Sequence, residues 1–276
     1  MAALLALGAA LFWGVGDFLG GLATRRLHVL VVLAVSHAIG LVGLVLWVGV
    51  ARDELPGGDS ILAAIAAGTA YLVGLGALYR GLAIGAMGIV APISAAAPLI
   101  PLTVDSARGM APGVVQWVGV TLVLTGIVTL SREPTTGGRR IAAGVGLAII
   151  AAVCIGLFFV GIDIAADEGA PWAVLISRAT SLSLAVAALA LTSTPLHVPL
   201  ALVPALIGIG VCDAGANVFI AFATTKGTAG VVAVLGALYP LATIVLARLV
   251  LGERLSRARR LGGAVALAGA ALVAAG

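Results

Sequence analysis

Apolar residues run along this chain in blocks of about twenty, interrupted by short clusters of Arg, Asp, Pro and Gly, and about twenty such residues make a helix that crosses the hydrocarbon core of a bilayer. Segmenting at the interruptions predicts ten helices, at 2–23, 29–50, 60–79, 82–104, 113–131, 142–164, 171–192, 201–223, 229–251 and 261–276. The breaks between them, from Arg80-Gly81 to residues 132–140, are too short to fold alone. Lipid offers the backbone no hydrogen-bond partner, so a spanning chain must be helical or a closed barrel, and long unbroken apolar runs predict helices. The predicted fold is therefore all-α and integral to a membrane, with ten transmembrane helices. The stretch 2–23 reads as a span and not as a removable signal peptide. It lacks a basic start, contains Asp17 and meets Arg25-Arg26 at its far end.

Composition agrees. Of 276 residues, 62% are hydrophobic and 9% charged, with a mean hydropathy of +1.24, against about 25% charged in an average soluble domain. The net charge of +4 rests on 15 Lys+Arg against 11 Asp+Glu. Those cations lie mostly between apolar segments and not along a stripe that could follow a phosphate backbone, which argues against nucleic acid as a partner. Cys154 and Cys212 stand alone in apolar sequence, far from each other and from any His at ligand spacing, so no disulfide framework or metal site is implied. No motif asks for a cofactor. The expected partners are the lipid bilayer and a small-molecule substrate.

Shifting the chain against itself by 142 residues aligns Gly14 with Gly156, Gly68 with Gly210, Gly85 with Gly227, Gly88 with Gly230 and Pro98 with Pro240. One further residue of offset brings Gly119 onto Gly262, Leu124 onto Leu267 and Gly126 onto Gly269. The expected organisation is a first five-helix repeat over 1–131, a connecting loop over 132–141 and a second repeat over 142–276. A repeat with an odd number of spans places its second copy upside down. Two inverted five-helix repeats form a transporter's geometry, with substrate at the repeat interface near mid-membrane. Ten spans in one chain remove any need for a dimer, so a monomer is expected. Odd-numbered loops carry Arg25, Arg26, Arg80, Arg132, Arg139, Arg140, Arg254, Arg257, Arg259 and Arg260, and even-numbered loops carry Arg52, Arg108 and Lys226. That imbalance puts both termini outside.

Polar residues within spans normally face a cavity or a partner, because exposure to lipid costs a few kcal/mol. Asp213 lies at the centre of the eighth predicted helix, and Asn217 shares its face one turn on. Asp213 reads either as a cavity-lining group or as a buried packing residue. Its counterpart in the first repeat is Tyr71, so the two are expected to face each other across the repeat interface. Arg178 aligns with His37 at one residue less of offset. Arg178 suits a carboxylate or phosphate, or serves as counter-ion to Asp213 or Asp17, with snorkelling to a membrane boundary as the alternative. His37 reads as a satisfied core histidine. Asp17 stands in Phe12-Trp13-Gly14-Val15-Gly16-Asp17-Phe18, whose third glycine, Gly20, falls one place late for a nucleotide loop; the run is better described as a flexible, aromatic-rimmed helix face beside a carboxylate. Asp163 and Arg248, nearer helix ends, read as interfacial or structural. Pro92, Pro98 and Pro101 in the fourth helix and Tyr239-Pro240 in the ninth predict kinks, with Pro92, Pro98 and Pro240 as candidate hinges and helix curvature as the plainer alternative.

The segment from Tyr239 to Gly276 resembles the end of an EamA-type repeat of the drug/metabolite transporter superfamily. The residues that carry the likeness are Pro240, Gly252-Glu253-Arg254-Leu255, and Leu261-Gly262 leading to Gly269. Phe12-Trp13-Gly14 followed by Asp17-Phe18 is similar to that family's first-helix pattern, and the ten-helix plan covers the whole chain. In the first half Ser106-Ala107-Arg108-Gly109-Met110 replaces the Gly-Glu-Arg-Leu turn, which suggests a loop-structural role for Glu253. The resemblance implies a ten-helix carrier, commonly an exporter of amino acids or other small metabolites, with both termini in the cytoplasm, contrary to the Arg distribution.

The expected function is therefore secondary transport of a small polar or zwitterionic metabolite, amino acids first, by alternating access in a bacterial cytoplasmic (inner) membrane. Its expected site comprises Trp13, Asp17, Tyr71, Pro98, Arg178, Asp213, Asn217 and Tyr239, with proton coupling through Asp213 as a further expectation. Cationic drugs, polyamines and nucleotide-sugar-like compounds are the alternative cargoes. An intramembrane enzyme is a weaker alternative, since no His-Glu-x-x-His, Asp-x-x-Asp or Gly-x-Ser-x-Gly motif occurs. A channel would need a continuous polar stripe, and a scaffold subunit would tolerate neutralisation of Asp213.

Overall fold

The computed structural model describes residues 1–24, 26–51, 54–84, 93–94, 96–131, 139–251 and 256–276. Among them the chain forms helices and no strand. The first half contributes α1 (Ala2–Ala23), α2 (Val29–Ala51), α3 (Gly58–Ile84), α4 (Leu99–Ala107) and α5 (Val114–Ser131). The second contributes α6 (Arg139–Ala166), α7 (Ala170–Leu191), α8 (Val203–Thr224), α9 (Ala229–Gly236), α10 (Tyr239–Leu251) and α11 (Arg257–Ala275). Among the described residues, six stretches are long and apolar enough to cross a bilayer, and Val114–Thr129, Ala229–Thr243 and Arg260–Ala275 are shorter apolar stretches. Large apolar side chains such as Leu4, Val50, Val114 and Leu249 point outward, as expected where lipid and not water covers the surface.

Two predicted boundaries change. The break expected at Arg80-Gly81 is absent, because α3 continues to Ile84; Arg propagates a helix well, and its exposed head needs no loop to reach water. The ninth predicted span is two helices, with a turn at Ala237-Leu238 between α9 and α10. Pro240 has no N–H to continue the ladder, and it restricts the residue before it. The same break occurs at the matching place in the first half, where residues 96–98 turn before α4 starts at Leu99. Pro92, Gly85, Gly88, Arg25, Arg52, Arg132 and the run Gly252-Glu253-Arg254-Leu255 lie outside the described residues.

Most of the helix packing joins one half to the other, and the pattern survives exchange of the halves. The pair α1–α8 is matched by α6–α3, and α2–α8 by α7–α3, while α2–α7 and α5–α11 map onto themselves. Individual contacts repeat as well. A Cβ on Gly68 would overlap the backbone of Ser177, and one on Gly210 would lie 2.5 Å from the Ser36 carbonyl oxygen. On α1, Gly14 abuts Ala242 and the Tyr239 carbonyl, and on α6 Gly156 abuts Ile100 and the Ala97 carbonyl. Along α5–α11, a Cβ on Gly119 would lie 2.7 Å from the Gly269 carbonyl oxygen, and one on Gly269 2.6 Å from that of Gly119. These are backbone-to-backbone approaches of the kind that pack membrane helices without a hydrophobic driving force. The architecture is thus an all-α membrane fold of two interlocked, inverted repeats related by a pseudo-two-fold axis.

Candidate functional site

Tyr71 follows Gly68 by three residues on α3, and Asp213 follows Gly210 by three on α8, so each polar residue sits on the face its glycine presses against a neighbour. The neighbours are α7 at Ser177 and α2 at Ser36, and the next residues along those helices are Arg178 and His37. Backbone contact at the two glycines therefore draws four polar side chains from α2, α3, α7 and α8 to one place. Ser181 reinforces the α3–α7 approach, its hydroxyl donating to the Gly68 carbonyl at 2.7 Å. The matching α2–α8 approach has Gly40 in that position, close to the Gly210 carbonyl.

At the meeting point the Tyr71 hydroxyl donates to Asp213 Oδ1 and Arg178 Nη1 donates to Asp213 Oδ2. Tyr71 and Asp213 are 142 residues apart, the repeat offset itself. Positions related by a two-fold axis touch one another only close to that axis, so this pair marks the centre of the molecule. Arg178 is 3% exposed, His37 1%, and Tyr71 and Asp213 8% each. The Arg178 guanidinium carbon also lies 5.9 Å from the Tyr71 ring centroid, within cation–π range. His37 stacks on Tyr71 at 6.1 Å between centroids and 23° between planes. Its Nε2 is 3.7 Å from Asp213 Oδ2, beyond hydrogen-bond distance, and both ring nitrogens are buried without a hydrogen-bond partner. The expected satisfied core histidine is thus core but not hydrogen-bonded, and the oxygen it faces accepts from Arg178.

Two small cavities flank this centre. One is lined by Trp13, Asp17, Ser36, His37, Tyr71 and Asp213 among others, and leaves about 20 Å³ for the centre of a water-sized sphere. The other, with about 10 Å³, is lined by Tyr71, Ile162, Val174, Ser177, Arg178, Ser181 and Asn217. Space of that order holds about one water molecule, so the site is closed. The linings are repeat mates: Ser36 and Ser177, His37 and Arg178, Leu33 and Val174, Leu75 and Asn217. Their charge is not symmetric. Both carboxylates, Asp17 and Asp213, line the first cavity, and Arg178 lines the second.

Of the expected site residues, Trp13, Asp17, Tyr71, Arg178, Asp213 and Asn217 therefore gather around one centre. The Trp13 indole N–H is buried without a hydrogen-bond partner, and so is Asn217 Oδ1, while Asn217 Nδ2 donates to the Asp213 carbonyl at 2.8 Å. Pro98 and Tyr239 line neither cavity. They belong to the paired helix breaks, where Pro98 is buried beside Ala97 and Tyr239 offers its carbonyl to Thr243 and to the face of Gly14. Ser36 and Ser177, which precede His37 and Arg178 at matching offsets, and Ser181 line the cavities without having been among the expected site residues. Farther out, Asp105 Oδ2 accepts the Gly230 N–H at 2.6 Å, and Arg108 pairs with Asp163 at 3.5 Å. The first contact ties the end of α4 to the start of α9, and the second ties it to α6.

The model of the EamA-like transporter family matches residues 1–132 and again residues 142–275. The chain belongs to that family. The transporter's fold is shared with a solved crystal structure at a TM-score of 0.81, over 98% of this chain and 95% of the other, with 18% sequence identity; an identity that low speaks to fold alone. No curated protein sequence matches the chain. The central polar cluster is accordingly the interior of a membrane transporter, at the interface of its two family repeats.

Proposed function

We propose that this transporter moves small zwitterionic metabolites, amino acids first, outward across a bacterial cytoplasmic membrane by alternating access between its repeats. The observation that carries the reading is the buried Arg178–Asp213 ion pair, capped by Tyr71, on the pseudo-two-fold axis. Cargo entering the site must part these two charges, and leaving either one buried and unpaired costs about 3–5 kcal/mol. A lone cation, a polyamine or a cationic drug, would satisfy Asp213 and strand Arg178. A lone anion would do the reverse. A zwitterion replaces one internal ion pair by two, its ammonium on Asp213 in the acidic cavity and its carboxylate on Arg178 in the basic one. The flanking cavities, exchanged by the axis between inverted repeats, supply the two routes that alternating access needs. The paired breaks before Leu99 and Tyr239 are where the helices would bend.

The test is counterflow of radiolabelled amino acids into proteoliposomes carrying wild-type protein, Asp213→Asn or Arg178→Gln. Saturable exchange with neutral amino acids that both substitutions abolish is the expected result. Exchange of amines or anions in preference to zwitterions would overturn the cargo assignment, and unchanged exchange in both variants would remove the ion pair from the pathway.

A further inference from the structure

His37 is a titratable group of the central cluster that the proposed binding scheme does not use. It is buried, aimed at the Asp213 oxygen that Arg178 holds, and without a hydrogen-bond partner on either ring nitrogen. An imidazole isolated in this way normally carries a large desolvation cost for two unmet polar atoms, so a transient partner is the economical explanation. Among the described residues, the charged and titratable groups around it are Asp17 on α1, Tyr71 on α3, Arg178 on α7 and Asp213 on α8. Tyr71 and Arg178 are already committed to Asp213. Asp213 itself is a poor proton carrier while a guanidinium and a phenol both donate to it. Histidine is the side chain whose charge changes in the physiological range.

From this placement we infer that His37 is the transporter's proton site, and that its protonated ring and the substrate's ammonium group compete for Asp213 Oδ2. The inference rests on the zwitterion reading for its cargo. His37 and Asp213 line the same cavity, so the two cations converge on one oxygen. A proton from water adds to Nε2, and the imidazolium N–H closes the 3.7 Å gap to donate to Oδ2. Substrate can occupy Asp213 only after that proton has returned to water. Two cations that exclude each other at one carboxylate make an exchanger: proton one way, zwitterion the other.

The experiment uses proteoliposomes and radiolabelled leucine, with the membrane potential clamped at zero. One pH unit across the membrane then drives about tenfold accumulation against the proton flow if exchange is one for one. Wild type is expected to accumulate leucine, and His37→Gln to equilibrate it without accumulation while exchange at equal pH remains measurable. Accumulation that persists in His37→Gln overturns the inference, as does leucine exchange in wild type that ignores the gradient. Nitrogen-15 spectra of the histidine rings provide an arm that needs no substrate. At about pH 7, His37 is expected neutral in wild type and protonated in Arg178→Gln, where Asp213 has lost its guanidinium. A ring that stays neutral in Arg178→Gln from about pH 5 to pH 8 overturns the inference. If wild type moves no amino acid at all, the zwitterion reading fails, and the ring spectra alone decide the proton site.

Discussion

Neutralising Asp213 separates two roles that the central ion pair combines. Asp213→Asn keeps the side chain's size and still offers an oxygen to the Tyr71 hydroxyl, so little packing is lost. What it removes is the counter-charge of Arg178, whose side chain is 3% exposed and cannot turn to water. Stranding a buried charge costs about 3–5 kcal/mol, and at about 2–4 °C per kcal/mol for a large domain the unfolding midpoint in detergent should fall by about 6–20 °C. Arg178→Gln should fall similarly, less whatever His37 recovers by taking a proton. The triple variant Arg178→Met/Asp213→Leu/Tyr71→Phe removes all three partners together. Apolar replacement of a buried pair is neutral or stabilising by about 1–4 kcal/mol, so this variant should melt at or above the wild-type midpoint. All three variants should be inert in amino-acid counterflow. The assays are tryptophan-monitored melting with size exclusion to confirm folding, then counterflow on the same preparations. An Asp213→Asn midpoint equal to wild type would show that the pair is not desolvated, and a triple variant that transports would show that its charges do not hold cargo.

The remaining predictions concern the frame around the site. Gly68→Ala and Gly210→Ala should each destabilise the protein by about 1–3 kcal/mol through overpacking, since each new methyl meets backbone; Gly43→Ala, with nothing within 4 Å, serves as control, and equal melting of all three variants would deny the close approach. Asp105→Ala leaves the Gly230 N–H, bonded at 2.6 Å, without its buried carboxylate and should cost about 1–3 kcal/mol in the same melt, with cargo affinity kept. Pro240→Ala restores an N–H at the start of α10 and should slow exchange turnover while leaving half-saturation for amino acids near wild type; a changed half-saturation at full turnover would assign Pro240 to the binding surface instead.

The helices were legible because lipid enforces a simple rule: about twenty apolar residues, closed on their own hydrogen bonds. The repeat was legible from glycines and prolines because those residues mark backbone events, namely the Gly68 and Gly210 approaches and the breaks before Leu99 and Tyr239, which have no side-chain substitute. The facing of Tyr71 and Asp213 followed from the offset alone. The partner of Asp213 could be narrowed only to Arg178 as one candidate, since helix rotation and crossing decide which cation reaches it. Periodicity gives neither. For His37 sequence pointed rightly to the core and wrongly to a hydrogen-bond partner. A histidine's hydrogen bonds depend on what its neighbours already hold, and nothing along the chain records that Arg178 claims Oδ2 first.

Pseudo-symmetry also explains why the site should select a zwitterion in one orientation. Identical residues on the two sides of the axis would give two equivalent half-sites, and a cargo could bind either way round. Here the two pairs of mates that carry charge have diverged: Asp213 stands where symmetry would repeat Tyr71, and Arg178 stands where it would repeat His37. One half-site has thereby gained a fixed negative charge and the other a fixed positive charge, while the neutral mates Tyr71 and His37 remain as a hydrogen-bond donor and a titratable ring. A polar axis now runs across a frame whose helices are otherwise arranged alike. Rocking of the repeats would carry cargo from one side of the membrane to the other without inverting that polarity, because the charges belong to α7 and α8 of the same half. In the proposed cycle a substrate held at both ends by one repeat would travel with that repeat, and the first repeat, with Tyr71 and His37, would move against it.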